Sequence, residues 1–108
     1  MTKININNTA KYFNACSEGD LETIKDLINT KKVNVDATNS DGQTALIIAA
    51  HHGYLDIVKF LDKNGADKTI KSSFNQTTAL DEILGIIQSI NTTEVIKYLE
   101  IKKILESD

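Results

Sequence analysis

His51 and His52, with Asp56 four residues past the second, are the side chains nearest in sequence to a metal-binding set. Imidazole beside carboxylate is also a pairing that moves protons. Gly53 falls between His52 and Asp56 and breaks any helix that would place them one turn apart. Two ligands without a third would in any case hold an ion weakly. The competing readings are contact residues on a binding surface and ordinary solvated histidines. As contacts, they would make affinity change between about pH 6 and 7 as the rings gain charge. Cys16 is the single cysteine, which leaves no internal disulfide and no cysteine metal cluster. No base is recognisable near it, so a buried, inert thiol is the expectation. Asp81 and Glu82 are adjacent, hence on different sides of a helix, and suit a first turn better than paired acid–base chemistry. The glycines fall singly and form no phosphate loop. No catalytic residues, no metal and no cofactor are expected.

These residues sit in a segment whose punctuation is that of two short helices. Thr44 can cap the first by accepting a backbone N–H two or three residues on. Leu46, Ala49 and Ala50 share one helical face, and the paired alanines allow close approach by a neighbouring helix. Gly53 ends that helix in the left-handed conformation that glycine takes without strain. Asp56 then lies in the first turn of a second helix, at the positive end of its dipole. Leu55, Val58 and Leu61 form the second helix's buried stripe, and Gly65 stops it.

The same pattern recurs. A shift of 34 residues aligns Gly19 with Gly53, Leu21 with Leu55, Ile24 with Val58, Leu27 with Leu61 and Ala15-Cys16 with Ala49-Ala50. It also aligns Thr44-Ala45-Leu46 with Thr78-Ala79-Leu80. A fixed period of this length with helix–turn–helix content is a specific sign of a repeat array. Three units are expected, over about 9–36, 37–70 and 71–106, as a single domain. The third lacks a Gly53 equivalent and matches again at Val95–Leu99 only after a four-residue insertion. That insertion predicts a longer first helix over Leu80–Ile90, with Asn91-Thr92-Thr93 making the reversal and a new N-cap. Thr2–Asn8 is a polar tail whose Ile4 and Ile6 are expected against the first helix.

The run from Gly42-Gln43-Thr44-Ala45-Leu46 to Gly65-Ala66-Asp67 resembles an ankyrin repeat, G-x-T-P-L-H-x-A-A-x-x-G-x-x-x-I-V-x-x-L-L-x-x-G-A-D. The resemblance is strong in the middle third and looser at both ends. It implies an all-α ankyrin-repeat solenoid of about three helix–turn–helix units joined by β-hairpin-like loops at 33–43 and 67–77. Ala45 stands where the family has Pro, and Ile47 where it has His. It also implies a protein–protein interaction module that binds a partner protein through finger tips and the exposed face of the inner helices. Carried over by position, the contacts are Thr38, Ser40, Asp41, Gln43, Ile47, His51 and His52, flanked by Ser17 and Glu18 on one side. On the other side are Lys71, Ser73 and Phe74. Phe74, a large aromatic in a polar link, is either an anchor for the partner or tucked beneath its finger. A stoichiometric inhibitor or regulator of a cytosolic protein, or a host-directed effector, is the narrower version. The last repeat looks like that of small single-domain ankyrin proteins such as myotrophin, a regulator of actin-filament capping. A metal-dependent enzyme or ligand binder at His51 and His52 is the remote alternative.

A net charge of −3 and a cation set made only of lysines argue against nucleic-acid binding. No apolar run approaches the roughly 20 residues of a membrane span, and no basic-then-apolar leader opens the chain, so the expected compartment is the cytoplasm. The Asn-x-Thr sites at Asn7, Asn75 and Asn91 then have no secretory setting. Ile101, Ile104 and Leu105 extend the apolar arc of the last helix. Either a bend near Lys102-Lys103 folds them over the core of a monomer, or Ile101 and Ile104 form a patch for weak self-association.

Overall fold

Thr44 and Thr78 start two of the helices by the same bond. Thr44 Oγ1 accepts from Ile47 N at 3.2 Å, and Thr78 Oγ1 from Asp81 N at 3.1 Å. Asp81 returns the bond, taking Thr78 N at 3.1 Å, so its carboxylate completes a capping box. The computed structural model describes residues 6–73, 75–90 and 93–107, apart from the Ile6 side chain. Its elements are α1 (Ile6–Glu18), α2 (Leu21–Asn29), α3 (Ala45–His52), α4 (Leu55–Lys63), α5 (Ala79–Ser89) and α6 (Val95–Glu106). They form three antiparallel pairs. The first members, α1, α3 and α5, pack side by side as an inner row, and α2, α4 and α6 form an outer row behind them. The stack measures 49 × 27 × 26 Å. The described residues contain no strand; the first inter-pair loop closes on a single antiparallel bridge between Thr38 and Thr44.

The 34-residue period reappears in the backbone. Asp20 N donates to Ala15 O at 2.9 Å, and Tyr54 N to Ala49 O at 3.0 Å. Lys32 N to Leu27 O, at 2.9 Å, is matched by Ala66 N to Leu61 O at 3.0 Å. Identical turns therefore aim α2 and α4 back along α1 and α3. Gly53 makes this possible with φ 74°, and it is also crowded: a Cβ there would lie 3.0 Å from the Tyr98 ring.

The core runs unbroken through the stack because the middle pair is covered on both sides, by α1 and α2 on one and by α5 and α6 on the other. Ile24, Leu27, Ala49, Ala50, Ile57, Val58, Leu61, Ile83 and Ile101 are all within 1% of complete burial. Cys16 lies among them without exposure, and burial pushes its thiol pKa up to about 12, so it stays a protonated apolar filler. Two tyrosines tie successive pairs. Tyr54 Oη donates to Ser17 O at 3.1 Å and Tyr98 Oη to His51 O at 3.0 Å, carbonyls exactly one period apart. Tyr12 Oη, donating to Val35 O at 3.0 Å, secures the first loop to α1.

Several expectations change. Ile6, Asn7 and Asn8, expected in a polar tail, belong to α1. Ile4, Asn91 and Thr92 lie outside the described residues, and no side-chain cap precedes Val95 at Glu94. The longer first helix of the third pair is present, with eleven residues in α5 against eight in α3. The bend at Lys102-Lys103 is absent: α6 continues to Glu106. Its 3.6-residue period alone turns Tyr98, Ile101 and Leu105 to the core, leaving Ile104 half-buried. Ile101 is 0% exposed, so the Ile101/Ile104 association patch does not exist; the exposed apolar side chains of α6 are Ile96 and Leu99.

Candidate functional site

The first inter-pair loop (finger 1, 33–43) is organised by one side chain that the sequence reading passed over. Asn39 Oδ1 accepts from Asp41 N at 3.0 Å and Gln43 N at 2.9 Å, while its Nδ2 donates to Gln43 Oε1 at 3.1 Å. An asparagine that satisfies nearby backbone donors fixes a tight turn without a long hairpin. The available signal was its place one residue before the Ser40-Asp41-Gly42 turn. The main chain closes the same loop through Asn39 N to Gln43 O at 3.0 Å. Thr38, Ser40 and Asp41 are thereby held outward, exposed, with Gln43 half-buried at the base.

Finger 2 (67–77) leans on finger 1 through Ser73 N, which donates to Asp41 O at 3.0 Å. Gly42 permits this contact: its φ is 74°, and a Cβ would strike Ser73 Oγ and lie 2.6 Å from Ser73 N. Lys71 and Ser73 are exposed beside it. Phe74 lies outside the described residues.

The inner row carries the histidines at the end of α3. His51 Nδ1 lies 3.0 Å from Glu82 Oε1 of α5. Glu82 Oε2 in turn accepts from Thr77 Oγ1 at 3.2 Å, so α3, α5 and finger 2 meet at one carboxylate. The His51 ring is half exposed, and it meets the His52 ring edge-on at a 5.4 Å centroid distance. His52 stacks on Tyr54 at 5.3 Å. Partial burial first, and the neighbouring His51 second, hold His52 below the usual histidine pKa of 6.5. His52 therefore gains its charge at a lower pH than an ordinary surface histidine. Among the described residues no three side chains of metal-binding type converge.

Ile47 is the position that the structure moves. It is 2% exposed, packed in the core, because α3 buries every residue from Ala45 to Ala50 between α1, α4 and α5. It is therefore not a surface contact. Its neighbour Ile48 instead reaches a groove about 190 Å³ in volume, where Phe13, Asn14 and Ser17 of α1 face Gln43, His51 and His52. Glu18 is exposed beside Ser17 at the end of α1. A second cleft of about 140 Å³ lies between the fingers, walled by Asp41, Gln43, Ser72 and Asn75. Gln43 belongs to both.

The described residues contain no helix long and apolar enough to cross a membrane. The family described as ankyrin repeats (many copies) matches residues 12–61. Palmitoyltransferase akr1 of Schizosaccharomyces pombe is 47% identical over 55 residues, covering 51% of this chain and 9% of the relative. Ankyrin repeat domain-containing protein 29 of Homo sapiens is 42% identical over 55 residues, covering 51% and 18%. The chain thus spans less than a fifth of these relatives, and it matches the transferase in a small part only. Among solved structures, the ankyrin repeat protein EF0377 is similar at TM-score 0.69 and 35% identity, over 84% of this chain and 43% of that one. A chain in the complex of the predatory endopeptidase Bd0816 of Bdellovibrio bacteriovorus with the immunity protein Bd3460 is similar at TM-score 0.69 and 28% identity. That match covers 87% of this chain and 45% of the other. Sequence and fold agree: residues 12–61 match ankyrin repeats, and the chain has the fold of ankyrin-repeat proteins.

Proposed function

We propose that this chain binds a partner protein through its two fingers and the exposed edge of its inner helices. The observation that carries the reading is the fixation of the finger surface before any partner arrives. Asn39 fixes finger 1, Ser73 N joins it to finger 2, and the carboxylate of Glu82 joins finger 2 to α3. A surface already ordered loses little conformational entropy on docking, and more of its contact energy appears as affinity. The contacts are Ser17, Glu18, Thr38, Ser40, Asp41, Gln43, His51, His52, Lys71 and Ser73, with Phe74 as the proposed anchor and Ile48 added at the groove. The reading gives the chain no catalytic step and no cofactor, and places it in the cytoplasm as a monomer.

A stoichiometric inhibitor is the narrower form. It is supported by the likeness to a chain from the complex of an endopeptidase with an immunity protein.

The test is capture from a native lysate, identification of the captured protein, and titration of that purified protein against surface variants. Ser17→Arg and Ser40→Arg place bulk on exposed positions and should each weaken binding about tenfold or more, at unchanged melting temperature. Lys59→Ala and Glu100→Gln, on the outer row, should leave it unchanged. Binding indifferent to both finger-side substitutions would overturn the reading.

A further inference from the structure

The groove and the inter-finger cleft share Gln43 as a wall and so adjoin at the base of finger 1, a trough of two parts. At about 190 and 140 Å³, each part has room for a single side chain. Neither admits a helix, which with its side chains is roughly 10–12 Å across. The lining is mostly amide and hydroxyl: Asn14, Asn39, Gln43 and Asn75, with Ser17 and Ser72. Asn39 and the Gln43 side-chain oxygen are engaged within finger 1, and Ser72 is buried. The exposed Asn14, Ser17 and Asn75 are therefore the groups that offer donors and acceptors to the main chain of an extended peptide.

Charge is divided between the two rows. Fingers and inner helices carry six carboxylates, Glu18, Asp36, Asp41, Asp67, Asp81 and Glu82, against the three lysines Lys11, Lys68 and Lys71. The outer helices with their adjoining turns carry eight of each, so the net charge of −3 resides on the finger side. Four of the six carboxylates are occupied. Asp36 accepts Asp67 N, Asp67 accepts Thr69, Asp81 closes its capping box, and Glu82 holds His51 and Thr77. Lys68 is likewise engaged, by Asp62 at 2.9 Å and by Ser107 O at 2.9 Å. Asp41 and Glu18 remain, exposed, their carboxylates without a hydrogen bond or ion pair among the described residues. Asp41 walls the cleft, and Glu18 follows Ser17, which walls the groove.

Resting on the docking reading above, we propose that the trough receives an extended, lysine-bearing segment of the partner, one cationic side chain meeting Asp41 and another meeting Glu18. The amides take the main chain between them. Two exposed, unpaired carboxylates beside a lined trough are a complementary seat for cations, and their field adds speed and orientation to the encounter.

The probe is a short fluorescent peptide of alternating lysine and serine, with its glutamate–serine counterpart, titrated by anisotropy at low salt. The lysine peptide should bind and the glutamate peptide should not. Asp41→Asn and Glu18→Gln should each weaken it about two- to fivefold, as expected for exposed ion pairs. Glu22→Gln and Glu100→Gln, on the outer row, should have no effect. Failure of the lysine peptide to bind, equal binding of the glutamate peptide, or equal losses from the outer-row substitutions would overturn the proposal. The captured natural partner separates this failure from that of the docking reading. Binding lost with Ser40→Arg but unaffected by Asp41→Asn and Glu18→Gln would reject the cationic segment and keep the docking face.

Discussion

Ile101→Ala is expected to lower the free energy of unfolding by about 2–5 kcal/mol, the range for removing a buried aliphatic side chain and leaving a cavity. Ile101 is 0% exposed, and it faces the core where α6 closes against α4 and α5. For a domain of this size each kcal/mol moves the melting temperature by roughly 4–8 °C. The substitution should therefore lower the melting temperature by about 8 °C at the least, and by about 14–28 °C for the middle of the range. Ile96→Ala, on the same helix but with Ile96 62% exposed, should stay within about 0.5 kcal/mol of the parent. The pair of thermal melts checks the face that α6 presents. Equal losses at both positions would mean that α6 is rotated or bent relative to the arrangement described. In a short array the loss propagates, because each pair is stabilised only by its neighbours.

Gly42→Ala is expected to cost about 2–3 kcal/mol although it adds a single methyl group at a loop. The left-handed backbone at Gly42, φ 74°, costs an L-residue about 1–2 kcal/mol. The new carbon would also crowd Ser73 N at 2.6 Å, and this atom belongs to the backbone, so relief requires separating the fingers. Separation breaks the bond from Ser73 N to Asp41 O, worth about 1 kcal/mol. Gly85→Ala is the control. Gly85 lies inside α5 with nothing within 4 Å of an added Cβ, and alanine there should stabilise by about 0.5–1 kcal/mol. Denaturant unfolding of both variants checks the prediction. A neutral Gly42→Ala would show that the finger-to-finger contact contributes nothing to stability.

The repeat was legible because its signals are local and periodic. Thr44 as a cap, Gly53 as a stop and the aliphatic stripe Val58–Leu61 require only knowledge of the chain nearby, and each is in place. The third pair's longer first helix followed from counting residues between two matched motifs. What escaped the sequence depends on rotation or on contact between repeats. Helical period places Ile101 with Tyr98 and Leu105, but only packing decides which arc faces α4, so Ile96 and Leu99 were missed as the exposed pair. Ile47 was assigned to the surface by position in a pattern, although an isoleucine at a site normally filled by a polar residue favours burial. Tyr54 and Tyr98 reach carbonyls 37 and 47 residues away. No window of local sequence shows such ties. Asn39 was the nearest miss, since asparagine before a Ser-Asp-Gly turn carries its own mechanism for ordering the loop.

The account makes one face of the stack responsible for recognition, and backbone hydrogen exchange tests that claim most directly. With the captured protein bound at saturation, amides of finger 1, finger 2 and the last turn of α3 should exchange more slowly than in the free chain. Those on the outward side of α2, α4 and α6 should be unchanged. Protection confined to the outer helices, with the fingers exchanging as freely as before, would contradict it.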